Sequence, residues 1–346
     1  MRGISGWWRC CMCVWMLHFG AAIAADAPDA EQVSPEVQAK LEALARANAA
    51  VIGVRTIAVE DARSIENLGR ERRGTGVVIS NDGLVVTIGY LILEADHVEL
   101  VLDSERVVPA RVIAYDLDSG FGLLQALAPL RVAPVQLGNS SALTTEEPLM
   151  IASGGEDGDL SVARMVSRRA FSGYWEYHID GALFTTPPRI DHSGAALFNA
   201  HGELLGIGSL VVMDALGPGQ PRMPGNMFVP IDLLKAILPE LRERGATRNS
   251  TRAWLGLNCV DLEGSVRIVR ITPESPAEAA GLKPGDRILR VDGAEVADLE
   301  NFYKTVWAGG QPERDIALLV ERAGMQKSIQ VHAQDRMKLL RHARGI

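Results

Sequence analysis

The chain has 346 residues, of which 47% are hydrophobic and 23% are charged, enough to form two or more folded domains. This composition excludes a chain that is disordered over most of its length. The formal net charge of −8 at pH 7 repels phosphate, so we expect no nucleic acid partner.

The first 25 residues have the order of a secretory signal peptide. Arg2 and Arg9 precede a short apolar run that reaches Phe19, and small residues follow as far as Ala25. We predict cleavage near Ala24 or Ala25, and a mature protein that is periplasmic or secreted. A retained membrane anchor is the alternative, but the apolar run is short and interrupted for a permanent span.

Cysteine usage limits the chemistry of the mature protein. Cys10, Cys11 and Cys13 lie within the predicted signal peptide, which leaves only Cys259. A single cysteine can form neither an intramolecular disulfide nor a cysteine-rich metal site. We expect neither a metal nor another cofactor.

A short amphipathic helix is predicted within the N-terminal segment 26–50. Val37, Leu41 and Leu44 recur there at helical spacing. Ser34 is a suitable N-cap and Pro35 a suitable first helical residue. A strand at 51–54 is predicted to follow directly.

Short apolar runs separated by turn residues characterise the segment 51–244. Further strands are predicted at 77–79, 84–86, 98–102, 111–114 and 121–127. The Asp-Gly pair at 82–83 is a hairpin signal between the first two of these runs. Many short strands with glycine-rich turns predict a β-barrel or β-sandwich assembly, closed by a helix at 230–244.

The rest of the chain predicts a second, smaller domain. Residues 245–251 are polar and are predicted to form a linker. Segment 252–334 combines strands, a Pro-Gly turn at 284–285 and a helix near 298–307. Residues 335–346 are predicted as a C-terminal tail.

Two motifs resemble those of a known protease family. Residues 73–87 read RGTGVVISNDGLVVT and resemble the first hairpin of the secreted HtrA/Deg serine proteases. Residues 275–293 read SPAEAAGLKPGDRILRVDG and resemble a PDZ domain. The resemblance spans about residues 72–332 and implies a mainly β fold, a trypsin-like double β-barrel followed by a small α+β PDZ domain. Fold alone does not decide activity, which depends on the site residues.

The resemblance implies a catalytic histidine and aspartate at two positions that carry other residues here. Where the family has Thr-Asn-x-His-Val, this chain reads TIGYL, so Tyr90 stands at the histidine position. The aspartate motif falls on residues 116–124 and puts Gly120 at the catalytic position. Asp118 is close in sequence, but strand periodicity does not ensure that it points inward. A phenol, with a pKa of about 10, is a poor base at neutral pH.

Ser193 is the retained member of the triad. The family turn Gly-Asn-Ser-Gly-Gly-Pro-Leu reads DHSGAAL over residues 191–197. Asp191 replaces a glycine whose backbone helps to form the oxyanion hole, and it adds negative charge there. Without an oriented base a serine hydroxyl is a weak nucleophile, so the alternative role of Ser193 is a turn residue that bonds local backbone.

Other histidines are candidates for a substitute base. His178, beside the aromatic stretch 174–177, is the one that the sequence least excludes. His192 neighbours Ser193, but adjacent side chains in a tight turn generally diverge. His97 falls on the polar face of a strand, where a solvated role is favoured.

The PDZ resemblance implies a peptide site, in which a peptide adds as a strand and backbone N–H groups bind its C-terminal carboxylate. The residues matching the carboxylate-binding loop are Trp254, Leu255, Gly256 and Leu257. On the helix near 298–307, the groove candidates are Phe302, Tyr303 and Val306, although all of them could instead be core residues. We expect the groove to favour apolar peptide termini.

These features predict a secreted HtrA-like pseudoprotease that binds unfolded proteins or peptide C-termini. It would act as a scaffold, a chaperone-like protein or a regulator in envelope protein quality control. The alternative is an active serine endopeptidase that uses Ser193 with a rearranged base. A further hypothesis is a homo-oligomer, such as a trimer, or association with an active related protease through the N-terminal segment.

Overall fold

The computed structural model describes residues 34–103, 106–145, 147–247, 251–262 and 264–341. The predicted signal peptide lies outside these ranges. Within them, no helix is both long enough and apolar enough to cross a membrane.

Helix α1, Pro35–Ala49, opens the described part of the chain. Ser34 caps it, as predicted, because its hydroxyl accepts a hydrogen bond from the Val37 N–H at 3.4 Å. Val37 and Leu41 remain 46% and 54% exposed, and Leu44 packs only partly against the core. The apolar face of α1 is therefore only partly covered by this chain.

The first barrel contains six antiparallel strands in the order β1-β2-β3-β6-β5-β4. They are β1 Val51–Ala58, β2 Glu71–Val78, β3 Leu84–Ile88, β4 Ala95–Val101, β5 Val107–Tyr115 and β6 Phe121–Ala126, and the short helix α2, Ile65–Leu68, lies between β1 and β2. The predicted hairpin joins β2 to β3, with Val77 opposite Val86. Gly83 in its turn has a φ of +82°, a conformation that favours glycine.

The second barrel repeats this architecture in the order β10-β11-β12-β9-β8-β7. Its strands are β7 Pro148–Ala152, β8 Leu160–Gly173, β9 Tyr177–Thr186, β10 Ala196–Phe198, β11 Leu204–Val212 and β12 Gly225–Pro230. Helix α3, Ile231–Arg244, follows β12 and ends at Gly245, whose φ is +76°. Buried aliphatic and aromatic residues of both barrels form a shared core.

The C-terminal domain has its own hydrophobic core. Its main strands are hydrogen-bonded in the order β14-β15-β16-β18-β19, and helix α5 packs on this sheet. Its elements are β13 Ala253–Trp254, β14 Leu257–Asp261, β15 Val266–Ile271, α4 Pro276–Ala279, β16 Arg287–Val291, β17 Ala294–Glu295, α5 Leu299–Trp307, β18 Asp315–Arg322, β19 Met325–His332, β20 Gln334–Asp335 and α6 Arg336–Leu339. The fold is mainly β, a double β-barrel followed by a small α+β domain, as predicted.

Candidate active site and peptide groove

Ser193 lies on the turn that leads into β10, at the junction of the two barrels. Its carbonyl oxygen accepts a hydrogen bond from the Thr75 N–H of β2 at 2.9 Å. Gly194 has a φ of +77°, and a Cβ there would lie 2.0 Å from the Thr75 carbonyl oxygen. The turn therefore requires glycine after the serine, and the first barrel holds it in place.

Tyr90 contacts Ser193 directly. It follows β3 in a single 3-10 turn, and its hydroxyl lies 2.8 Å from Ser193 Oγ and 2.9 Å from the carbonyl oxygen of Ser209. A carbonyl can only accept, and a phenol carries one proton. Both contacts are satisfied when Tyr90 donates to Ser209 and Ser193 donates to Tyr90.

The protonation of Tyr90 decides what it can do for Ser193. Burial raises the pKa of Tyr90 to about 12, although its hydrogen bond with Ser193 opposes the rise. The phenol is therefore neutral at physiological pH, and its oxygen has little affinity for a further proton. It orients the serine hydroxyl without activating it.

Arg72 fixes the turn that carries Tyr90, a role that the sequence reasoning missed. The guanidinium is buried and donates to the carbonyl oxygens of Tyr90 at 2.9 Å and Leu93 at 2.7 Å. It also donates to Ser64 Oγ at 2.7 Å. These bonds satisfy the buried charge and leave the backbone around Tyr90 little freedom.

Gly120 lies in the loop before β6 with a φ of +80°. A Cβ at this position would lie 3.0 Å from the hydroxyl of Tyr177, which itself donates to the Ser119 carbonyl oxygen at 2.9 Å. Tyr177 thus occupies the space beside Gly120 that a longer side chain would enter. Asp118 pairs with Arg252 at the start of the C-terminal domain instead of facing Tyr90.

Asp191 lies in a polar cluster beside the serine turn. Its carboxylate accepts hydrogen bonds from Ser153 Oγ and from Arg189, whose Nε lies 2.9 Å away. Burial alone would raise the pKa of Asp191, but the bonds from Arg189, Ser153 and its own backbone N–H hold it below the usual value. The carboxylate therefore stays ionised beside the turn that carries Ser193.

The structure does not bring His178 to Ser193. The His178 ring is buried between Ser172 Oγ, 2.9 Å from Nδ1, and Asp180 Oδ1, 3.1 Å from Nε2, so both nitrogens are engaged elsewhere. His97 is exposed on β4. His192 does line the cleft with Ser193, and its Nδ1 lies 2.9 Å from the Ile190 carbonyl oxygen.

Ser193 opens into a cleft of about 870 Å³ between the barrels and the C-terminal domain. Tyr90, Trp175 and Tyr177 line it from the barrels, and Trp254 and Arg270 line it from the C-terminal domain. The cleft is large enough to admit a peptide segment.

The predicted carboxylate-binding loop is already engaged. The N–H groups of Leu255, Gly256 and Leu257 all donate to the carboxylate of Glu176, which is carried by the loop between β8 and β9. The indole of Trp254 lines the cleft instead. Glu176 was missed by sequence reasoning, since only its neighbours in the aromatic stretch 174–177 drew attention.

The three groove candidates on α5 are all buried. Phe302, Tyr303 and Val306 belong to the core of the C-terminal domain, which is the alternative that the sequence left open. Tyr303 also contacts the barrels, because its hydroxyl donates to the Gly173 carbonyl oxygen at 2.8 Å.

One group of possible metal ligands occurs among the described residues, namely His178, Asp180 and Glu300. The ammonium group of Lys304 lies 3.1 Å from Asp180 and 2.7 Å from Glu300. A cation of the protein therefore already compensates these carboxylates.

Comparison with known proteins agrees with this architecture. Residues 74–207 match the family model of the trypsin-like peptidase domain, and residues 253–333 match that of the PDZ domain. A solved structure, the HtrA-type protease AlgW with decapeptide, superimposes with a TM-score of 0.53 at 19% identity, over 88% of this chain and 99% of that chain.

Curated relatives match about three quarters of this chain. A DegP-like periplasmic serine endoprotease of Marinomonas sp. (strain MWYL1) is 27% identical over 282 residues, 77% of this chain and 58% of that protein. A protein of the same description from Halomonas elongata is 27% identical over 284 residues, 77% of this chain and 57% of that protein. The chain thus spans less than two thirds of the length of these relatives.

The fold and the matches define a trypsin-like peptidase domain joined to one PDZ domain. In this combination the chain is similar to relatives named DegP-like serine endoproteases, and its fold is that of HtrA-type proteases.

Proposed function

We propose that this chain is an HtrA-like pseudoprotease, which binds peptide segments or C-termini of unfolded proteins through its PDZ domain without cleaving them. The contact between Tyr90 and Ser193 carries the proposal. The phenol oxygen lies 2.8 Å from Ser193 Oγ, at the histidine position of the resembled motif, and its pKa of about 12 makes it unable to take the serine proton at neutral pH.

Two further positions support the same function. Gly120 offers no carboxylate to orient a base, and Tyr177 fills the neighbouring space. Asp191 places a negative charge near the point where a negative oxyanion would develop in peptide hydrolysis. A single replacement would therefore not rebuild a triad.

The cellular role that we propose is that of a scaffold, chaperone-like protein or regulator in envelope protein quality control. The predicted signal peptide and the relatives named as periplasmic support a periplasmic or secreted location. Val37 and Leu41, exposed on α1, are suited to contacts within a homo-oligomer or with a related active protease.

Labelling with a fluorophosphonate probe tests the loss of catalysis. We expect no label on Ser193 in the mature protein, and no degradation of unfolded casein, because nothing activates the hydroxyl. Ser193→Ala is the matched control. Labelling or casein degradation that disappears in Ser193→Ala would refute the pseudoprotease proposal.

An active serine endopeptidase is the second candidate function, and His192 is the observation that favours it. Its ring lines the same cleft as Ser193, and burial lowers its pKa, so the imidazole is neutral at pH 7. A proton on Nδ1 that bonds the Ile190 carbonyl leaves Nε2 as a base. This candidate requires that His192→Ala abolish labelling of Ser193.

A further inference from the structure

The tip of the β8–β9 hairpin lies in the groove of the PDZ domain. Glu176 Oε1 accepts from the Leu255 N–H at 2.9 Å, and Oε2 accepts from the N–H groups of Gly256 at 2.9 Å and Leu257 at 3.1 Å. Three backbone donors thus converge on one carboxylate. This is the contact that the C-terminal carboxylate of a peptide makes with a PDZ domain.

The backbone of the tip also resembles a bound peptide. The Cys259 N–H of β14 donates to the Tyr174 carbonyl oxygen at 2.8 Å, which extends the sheet by one interstrand hydrogen bond. On the opposite side Tyr303 of α5 donates to the Gly173 carbonyl oxygen at 2.8 Å and accepts from the Glu176 N–H at 3.2 Å. The tip therefore lies between β14 and α5, as a ligand strand would.

Aromatic contacts hold the tip in a defined shape. The Trp175 ring stacks on Tyr177 with centroids 5.7 Å apart and planes 10° apart, and it meets Tyr174 edge-on at 4.8 Å. Glu176 adopts a φ of +57°, which turns the chain sharply after the side chain enters the groove. A preorganised segment of this kind loses little conformational entropy when it docks.

We propose that residues 173–176 are an internal ligand of the PDZ groove, and that a peptide with a free C-terminal carboxylate binds there by displacing them. This inference rests on the proposed peptide-binding function. A peptide carboxylate and Glu176 need the same three N–H groups, so the two cannot be bound together. The measured affinity for peptide is then lower than the intrinsic affinity of the open groove, in proportion to the fraction of molecules in which the tip has left.

Displacement of the tip also reaches the serine cleft. Trp175 and Tyr177 line that cleft, and Tyr177 contacts the loop of Gly120 through Ser119. Departure of the tip therefore changes the wall of the cleft beside Ser193.

Hydrogen exchange of the peptide-free protein tests the internal ligand without any external one. We expect the amides of Leu255, Gly256, Leu257 and Cys259 to lose protection in Glu176→Ala and, more weakly, in Glu176→Gln, which preserves side-chain volume. Glu274→Ala is the matched control, because it removes another glutamate that joins the two domains, but one whose carboxylate bonds Arg63 at 3.3 Å and not the loop N–H groups. Unchanged protection in both Glu176 variants, or an equal loss in Glu274→Ala, would overturn the proposal.

Peptide binding tests the competition. The probe is a fluorescein-labelled peptide ending in Gly-Tyr-Trp-Val, with a free or an amidated C-terminus, titrated in fluorescence anisotropy. The free-acid peptide should bind Glu176→Ala about tenfold more tightly than the unchanged protein, with no gain for Glu274→Ala or for the amidated peptide. Equal affinity for the unchanged protein and Glu176→Ala would refute the internal ligand while leaving peptide binding intact. Loss of amide protection without binding of either peptide would instead refute the proposed peptide-binding function alone.

Discussion

The serine turn and the PDZ loop are both occupied by side chains of the chain itself, but the two occupants are held differently. Tyr90 approaches Ser193 from a turn whose backbone is fixed by the buried Arg72. Glu176 reaches the PDZ loop from a hairpin tip, where the neighbouring Tyr174 is 55% exposed. The first occupant packs against the core, and the second is the one that we propose a peptide displaces.

Gly194→Ala gives the largest expected effect and tests how firmly the serine turn is fixed. The new Cβ would lie 2.0 Å from the Thr75 carbonyl oxygen at a φ of +77°, so the barrel junction must shift. We expect the free energy of unfolding to fall by more than about 3 kcal/mol, measured by urea denaturation. Gly181→Ala is the control, since its φ is +66° with no atom within 4 Å, and it should cost about 1 kcal/mol. Equal losses would show that the turn is not held by the first barrel.

Tyr90→Phe tests whether the phenol has a structural role in the core. It removes the hydroxyl that serves the buried Ser209 carbonyl at 2.9 Å and leaves this acceptor without that donor. The free energy of unfolding should fall by about 1 to 3 kcal/mol. Tyr174→Phe, at an exposed ring, should cost less than about 0.5 kcal/mol in the same assay. If Tyr90→Phe left the free energy of unfolding unchanged, the Tyr90 hydroxyl would contribute no more to stability than that of Tyr174 in the hairpin tip.

The two regions also differ in how far the sequence predicts them. The apolar runs up to residue 127 predict the strands of the first barrel, because local pattern and burial agree there. The second barrel and the PDZ domain follow from the family that the motifs at 73–87 and 275–293 resemble. The serine turn follows from its own short motif. Position-by-position comparison with the resembled motif also identifies Tyr90 as the residue to examine.

Glu176 could not be predicted in the same way. Its partners at 255–257 lie about eighty residues further along the chain, in another domain. A single glutamate within an aromatic loop has no periodicity that indicates burial. Its contact arises from the docking of two domains, which local sequence patterns do not encode. For the same reason the sequence could not place His178, whose neighbours include Glu300 of the PDZ domain at 3.8 Å.

Raising the pH should weaken docking of the tip and strengthen peptide binding. Burial raises the pKa of Glu176 to about 7, opposed by the three loop N–H groups and by Arg336. In the docked tip the Glu176 carboxyl keeps its proton up to about pH 7, whereas in the released tip it loses that proton from about pH 4.5. Docking therefore becomes less stable as the pH rises toward 7. The affinity for the free-acid peptide should rise about tenfold between pH 5 and pH 8.

The same titration in Glu176→Gln isolates the carboxyl. Burial raises the pKa values of Tyr303 and of the Cys259 thiol, which pack against the tip, so neither ionises in this range. The histidines of the chain are present in both proteins. The affinity of Glu176→Gln should therefore change much less with pH, and an equal change in both proteins would assign the pH dependence to another group.

Asp191→Asn should have the smallest effect on the free energy of unfolding. It tests a residue beside the serine turn, whereas Tyr90→Phe tests a residue in contact with Ser193. The carboxylate is partly exposed and paired with Arg189, so its replacement should lower the free energy of unfolding by less than about 1 kcal/mol at pH 7. Because the folded pKa is lowered, this contribution is present above the unfolded value of 3.8 and is lost as pH falls through the folded pKa. Urea denaturation at pH 7 and at pH 3 measures the difference, with Asp159→Asn, a more exposed partner of the same arginine, as the control. If Asp191→Asn allowed a fluorophosphonate to label Ser193 and the unchanged protein did not, the charge beside the turn, and not Tyr90, would account for the loss of catalysis that we propose.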